Sequence, residues 1–337
     1  MQTLIIDQYG AFLGKHSERL QVRLNKEILA EAPLINLEQV LIIAGGVSLS
    51  SDAVRACAEA GVPIAFVTRS GKPYARLTSA DLIGTVQTRR ELLLAYNDGR
   101  GVALAKAFAR GKLLNQVNLL KYMAKYRKDR DQEAYRTVWR LAEEIKALAA
   151  TLNGLPGENV DALRPQLLNL EGRGANLYWE AIKRLLPEET AFAGREQRGA
   201  QDMVNVCLNY GYGILYTQVE QALLLAGLDP YAGFIHVDRP GKPSLVLDLI
   251  EEFRQMVVDR TIFGLLNKGM EITLEDGRLS DASRKLLAEK VLERLEGEEI
   301  FEGKRHQLKT ILQMQARHIA TFVRGERKEY QPFVGRW

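Results

Sequence analysis

Glu171, His236, Asp248 and Glu251 are the side chains whose types and surroundings promise chemistry. Glu171 lies in NLEGRGANLYW, where helical spacing puts Leu167, Leu168, Ala175, Tyr178, Ile182, Leu185 and Leu186 within about 60° of it. A carboxylate in the middle of an apolar stripe must protonate or acquire a positive partner. An arginine from another helix would satisfy it, and so would a bound cation. His236 ends the apolar run GFI. Asp248 and Glu251 follow in SLVLDLIEEFRQMVVDR, which reads as one helix started at Pro243 and Ser244. On that helix Asp248, Glu251, Glu252, Gln255 and Asp259 share an arc of about 100°, opposite Leu245, Leu249, Phe253 and Met256. Glu252 and Asp259 are read as its solvated face. Carboxylates with one imidazole suit a hard divalent ion, Mn2+ or Mg2+, better than a thiolate-loving metal. Such an ion beside a loop carrying Arg239 and Lys242 is equipment for phosphate-ester chemistry.

Two kinds of texture must position these groups. Up to about residue 80 the chain reads as strands: TLIIDQYGAFLGK, RLQVRLN, the continuous apolar runs VLIIAGG and VPIAFVT, and SGKPYARL after a turn at Gly71 and Pro73. SSDAVRACAEAG between them is a helix starting at Ser51 or Asp52 and stopping at Gly61. Helical periodicity takes over from RRELLLAYN onward. The expected fold is α+β: a small β-rich N-terminal domain (1–82) followed by a large all-α C-terminal domain (83–337). No internal repeat or low-complexity tract is visible.

Composition sets limits. The chain has 337 residues, 46% hydrophobic and 26% charged, enough apolar surface for a sizeable core. Cys57 and Cys207 stand far apart, which argues against a disulfide framework or a CxxC metal site and for reduced core thiols. No apolar run reaches the roughly 18 residues of a membrane span, and MQTLIID lacks the pattern of a signal peptide, so a cytoplasmic protein is expected. The net charge of +4 says little alone, but KYMAKYRKDR at 121–130 and the stretch at 306–328 are locally basic. Such stretches are either solvated helix faces or holders of a phosphate backbone. His16, His306 and His318 lack a carboxylate pair at useful spacing and are read as core or capping residues.

Several motifs together resemble a known family. Glu171 in NLEGRGANLYW, Asp202 and Asn205 in QDMVNVCLNYGYGILY, His236 in GFIHVDRPGKPSLVLDLIEEFR, and the tail FVRGERKEYQPF are similar to the CRISPR-associated integrase. This is the spacer-acquisition nuclease numbered one among the CRISPR-associated proteins. The likeness extends to the YGAFL hairpin and to SLSSDAV and GVPIAFVTRSGKPYARL. It implies a homodimerising β-domain and a helical domain holding Mn2+ or Mg2+ through Glu171, His236 and Glu251. Asp248, Asn205 and Tyr216 fall at the edge of that site. The implied reaction joins a DNA 3′-hydroxyl to a phosphodiester of the CRISPR repeat, with a reverse reaction on branched DNA. The implied partners are double-stranded spacer precursors and CRISPR-associated protein two, bridging two dimers. Because spacers vary, phosphate contacts are expected to hold the DNA, with Arg173, Arg239, Lys242 and Arg254 as near candidates and Arg317 and Arg324 as distant ones. Each of these cations has an alternative as a surface charge or an internal ion pair. Tyr9 and Phe12 are either core or dimer-interface residues. Two other readings are kept: a non-catalytic helical nucleic-acid scaffold, and a metal-dependent nucleotide phosphohydrolase.

Overall fold

The computed structural model describes residues 2–79, 86–197 and 199–336. The expected domain boundary at 82/83 lies outside the described residues. Strands β1 (Gln2–Ile6), β2 (Phe12–His16), β3 (Arg19–Leu24), β4 (Glu27–Pro33), β5 (Leu37–Ile42) and β6 (Ser48–Leu49) come first. Helix α1 (Ser51–Glu59) follows, then β7 (Ile64–Val67) and β8 (Pro73–Leu77). They form two four-stranded sheets. One runs β1-β5-β7-β8, parallel except for its last pair; the other runs β4-β3-β2-β6.

The continuous apolar runs of β5 and β7 have a physical reason, since both faces of their sheet are covered. Side chains alternate across a strand. Val40, Ile42 and Ile64 therefore join a core with Leu13, Leu20, Val22 and α1. Leu41, Ile43, Ala65 and Val67 enter the helical core on the other side. The N-terminal region is thus one wall of the molecule's larger core.

The remainder is mostly helical, as expected: α2 (Val86–Ala95), α3 (Gly99–Ala124), α4 (Gln132–Thr151), α5 (Val160–Leu185), α6 (Met203–Leu225), α7 (Ser244–Leu249) and α8 (Arg260–Asn267). The antiparallel hairpin of β9 (Leu274–Glu275) and β10 (Arg278–Leu279) then precedes α9 (Asp281–Glu296). A second hairpin, β11 (Glu298–Phe301) with β12 (Lys304–Gln307), precedes α10 (Leu308–Val323). Short polar side chains cap these helices: Asp131 accepts from Ala134 N–H, Asn159 from Ala162 N–H, and Asp202 from Asn205 N–H.

Two details bear on the site. The single long helix expected after Ser244 is broken into α7, a 3-10 turn at Ile250–Glu252, a π turn at Gln255–Asp259, and α8. The chain then ends as a strap on α3. Asn115 Nδ2 donates to the Phe333 carbonyl at 2.9 Å, Gly335 N–H donates to Asn115 Oδ1 at 2.9 Å, and the Phe333 ring stacks on Phe253.

Candidate active site

Glu171 reaches the site from α5 and Glu251 from the 3-10 turn, and both helical segments pack on α3. From α3, Lys112 bridges them. Its ammonium donates to Glu171 Oε1 and lies 3.1 Å from Glu251 Oε2. Glu171, Lys112 and Glu251 keep only 12%, 14% and 3% of their side-chain surface exposed. Gly174 makes this approach possible, because a side chain there would run into Leu113 Cδ2 on α3. Arg254, one turn beyond Glu251, places Nη2 3.5 Å from Glu251 Oε1 and its guanidinium over the Tyr212 ring. Burial works to raise the Glu251 pKa, but Arg254, Lys112 and His236 outweigh it and hold the carboxyl below its ordinary value. Glu251 Oε2 is nevertheless buried without a hydrogen bond.

His236 sits in the loop before α7. Its Nδ1 is 2.7 Å from Asp248 Oδ1, and Asp248 also accepts the backbone N–H groups of Phe234, Ile235 and His236. Asp248 is wholly buried and every one of these bonds is directed at the His236 segment. It therefore fixes the ring's orientation and leaves Nε2 as the nitrogen open to a ligand. Among the described residues, no three His, Cys, Asp or Glu side chains are drawn together closely enough to hold an ion as they stand. Between the two glutamates stands the lysine. The cation that satisfies Glu171 thus comes from another helix, as anticipated, but it is a lysine that sequence reasoning missed.

Glu252 and Asp259 correct the helical-wheel reading, for neither is on a solvated face. Both are wholly buried. Glu252 accepts from Tyr330 O–H at 2.7 Å, Gln315 Nε2 at 2.7 Å and Phe333 N–H at 2.8 Å. Burial still carries its pKa up to about 7. Asp259 accepts from the hydroxyls of Tyr178, at 2.6 Å, and Tyr212, at 2.5 Å, and burial raises its pKa to about 6. The wheel failed because this segment is enclosed on all sides and has no solvated face: the apolar residues opposite, Leu245, Leu249, Phe253 and Met256, are buried too.

A cleft of about 640 Å³ adjoins the site through Arg254. Its charged lining among the described residues is wholly cationic: Arg69 and Lys72 from the β7–β8 turn, Arg195, Arg254 and Arg278. Tyr210, Tyr212 and Tyr216 of α6 also line it.

The model of the family described as CRISPR associated protein Cas1 matches residues 4–293. The CRISPR-associated endonuclease Cas1 1 of Archaeoglobus fulgidus is 41% identical over 99% of both chains. This chain belongs to the Cas1 family. A Cas1 endonuclease of Francisella tularensis subsp. novicida is 34% identical over 100% of both chains. Among solved structures, a casposase bound to integration product superposes with a TM-score of 0.84 at 20% identity, covering 98% of this chain and 93% of that one. A CAS1 protein from Thermotoga maritima gives a TM-score of 0.78 at 19% identity, over 99% and 100%. These two show the shared fold.

Within this Cas1 chain the remaining expected residues separate. Asn205 lines no cleft surface of its own. It is buried at the start of α6, where it accepts from Arg195 Nη1 and Glu196 N–H and donates to the Gly194 carbonyl, fixing the loop that carries Arg195. Tyr216 lines the cleft, and burial raises its pKa. Arg173 and Arg239 are exposed and Lys242 is half-buried. Arg317, also exposed, lines a different cavity with Lys15 and Glu38. Arg324 is committed to Glu326 and to Thr88 Oγ1. Arg69, Lys72, Arg195 and Arg278 were missed, though the cationic turn TRSGK was visible in the sequence. Both cysteines are free and buried, and burial pushes the Cys57 thiol up to about 11, which suits a core residue and not a nucleophile.

Proposed function

We propose that this chain is a divalent-metal-dependent DNA endonuclease and integrase of CRISPR adaptation. It joins a DNA 3′-hydroxyl to a phosphodiester of the repeat and runs the reverse reaction on branched DNA. Supporting this reading are its full-length likeness to Cas1 endonucleases and the arrangement in which Glu171 and Glu251 share one cation with His236 close by. The donor set fits a hard ion: two largely enclosed carboxylates whose shared partner is a single ammonium, and an imidazole whose other nitrogen is tied down. Glu171, His236 through Nε2, and Glu251 would hold Mn2+ or Mg2+. When bound, the ion polarises a phosphoryl oxygen and stabilises charge on the attacking or departing oxygen. Asp248 fixes the orientation of the His236 ring through Nδ1. Arg254 sits where the cleft meets the site and can hold a non-bridging oxygen by charge-assisted hydrogen bonds. The reaction exchanges one P–O bond for another, so positioning and charge stabilisation suffice and no covalent enzyme intermediate is needed.

The cleft's cations favour backbone contacts over base reading, as variable spacers require. Tyr9 is 72% exposed and Phe12 40%, so neither is core. Such exposed aromatic side chains support a homodimer built on residues 1–82, leaving 83–337 as the catalytic domain. The fold is shared with a chain of a Cas6-RT-Cas1–Cas2 complex, which supports CRISPR-associated protein two as the companion. No helix among the described residues is long and apolar enough to cross a membrane, and a cytoplasmic location suits a DNA enzyme. The deciding experiment incubates the protein with branched DNA and Mn2+. Wild type should cleave and join strands, whereas Glu171→Ala, His236→Ala and Glu251→Ala should bind the DNA unprocessed. Undiminished processing by all three variants would remove the reading.

A further inference from the structure

Glu251 and Glu252 are neighbours in sequence and wholly or almost wholly buried, yet they are held in opposite ways. Each oxygen of Glu252 is locked by hydrogen bonds to Tyr330, Gln315 and Phe333. Glu251 has charge partners but poorly directed ones: the Lys112 ammonium lies 3.1 Å from Oε2 without an aligned hydrogen bond, and Arg254 lies 3.5 Å from Oε1. Such a carboxylate exchanges its partner at lower cost.

The cluster is close to neutral as it stands. Glu171, Glu251 and the Asp248 behind His236 supply three negative charges, and Lys112 and Arg254 supply two positive ones. A divalent ion added to that set turns a net charge of −1 into +1, and it meets the Lys112 ammonium at the same two carboxylates in a poorly hydrated site. Either a cation leaves or an anion arrives. Arg254 is fixed over the Tyr212 ring. Lys112 has a flexible four-carbon stem and, among the described residues, no ring packed on its ammonium, so it is the group that can move.

We propose that Lys112 is a placeholder cation: it holds Glu171 and Glu251 together in the metal-free protein, gives way to the divalent ion, and turns to the DNA phosphate that accompanies it. This rests on the reading of Glu171, His236 and Glu251 as metal ligands. Its consequence is that metal and DNA bind cooperatively. The lysine opposes the ion when no phosphate is present and serves as a phosphate contact when one is. Linkage makes the coupling reciprocal, with DNA tightening Mn2+ by the same factor as Mn2+ tightens DNA.

The test measures Mn2+ binding by the electron paramagnetic resonance signal of the free ion, with and without a duplex ending in a 3′-dideoxynucleotide. The proteins are wild type, Lys112→Met, Lys112→Arg and Glu171→Gln. Without DNA, Lys112→Met should bind Mn2+ about tenfold or more tightly than wild type, and Lys112→Arg should resemble wild type. DNA should tighten Mn2+ binding to wild type by about tenfold or more, within the usual range of such couplings, and to Lys112→Met by under about threefold. Lys112→Met should also melt lower than wild type in chelator and gain more from saturating Mn2+, which keeps the test usable if the variant is fragile. If Lys112→Met binds Mn2+ no better than wild type while Glu171→Gln loses the site, the placeholder role fails and the metal site stands. Equal tightening by DNA in both proteins would also end the proposal. If wild type binds Mn2+ no better than Glu171→Gln, with or without DNA, the ligand assignment itself falls and the proposal with it.

Discussion

Asp248 and Asp259 lie 11 positions apart, are equally buried, and do different work because of what they accept. Asp248 gathers three backbone N–H groups and the His236 ring, so its charge orients a functional side chain. Asp248→Asn keeps the shape but weakens the bond to Nδ1. The single-turnover rate on branched DNA is expected to fall about 10- to 100-fold, with the circular dichroism unchanged, as for partners of metal-ligating histidines elsewhere. Asp259 accepts two tyrosine hydroxyls, and burial outweighs those bonds and the charges of Arg254 and Arg195 to place its pKa at about 6 against an ordinary 3.8. The folded state therefore binds this proton more tightly than the unfolded chain. Stability from this group is full below the ordinary value, is lost as pH rises between the two, and stays lost above about 6. A shift of about two units corresponds to about 3 kcal/mol. Asp259→Asn cannot ionise, so its deficit against wild type should shrink by about that amount between about pH 4 and about pH 7. Urea denaturation at the two pH values measures it, and a deficit independent of pH would contradict it.

Among elements, the α3–α5 contact decides whether Glu171 meets Lys112. Gly174→Ala puts a methyl group into Leu113, which is wholly buried and cannot yield freely. Overpacking of this kind should cost about 1–3 kcal/mol. Leu113→Val in the same chain should recover part of the melting temperature, and with it strand cleavage; a double variant as unstable as the two losses added would show that the contact is not the cause. This contact also shows what was legible in the sequence. Glu171 betrayed itself by standing on an apolar stripe, and His236 by ending an apolar run before paired carboxylates. Lys112 gave no such sign, because one lysine in a helix normally reaches solvent. Only the buried carboxylates demanded a cation, and the sequence does not say from which helix it comes. The strands β5 and β7 were readable because both faces are buried. The arc at 248–259 misled, because a polar arc on a segment enclosed on all sides faces partners inside the protein and not water. The strand β4 carries exposed Ile28 and Leu29 beside Glu27 and Glu31, so it lacks the apolar alternation that marks a half-buried strand.

At the scale of the whole molecule, the two regions are not independent modules joined by a linker. One sheet serves both cores, Arg76 of β8 pairs with Glu220 of α6 at 2.9 Å, and a side chain at Gly213 would overlap the Gly71 carbonyl. That docking sets Arg69 and Lys72, from the N-terminal strands, into the same cleft as Arg195, Arg254 and Arg278 of the helical region. If the cleft carries DNA, the β7–β8 turn is part of the binding surface even though it lies outside the helical region. Each phosphate neutralised by a lysine or arginine releases condensed counterions, so the logarithm of the affinity falls with that of salt at about 0.9 per contact. Arg69→Ala together with Lys72→Ala should therefore weaken duplex binding and flatten that slope by about 2, measured by fluorescence anisotropy between roughly 50 and 200 mM salt. Arg324→Ala removes a cation already engaged by Glu326 and Thr88, and should leave the slope unchanged. A slope altered equally by both changes would mean that the DNA responds to overall charge and not to this cleft. A slope altered by Arg324→Ala alone would place the duplex on α10 instead.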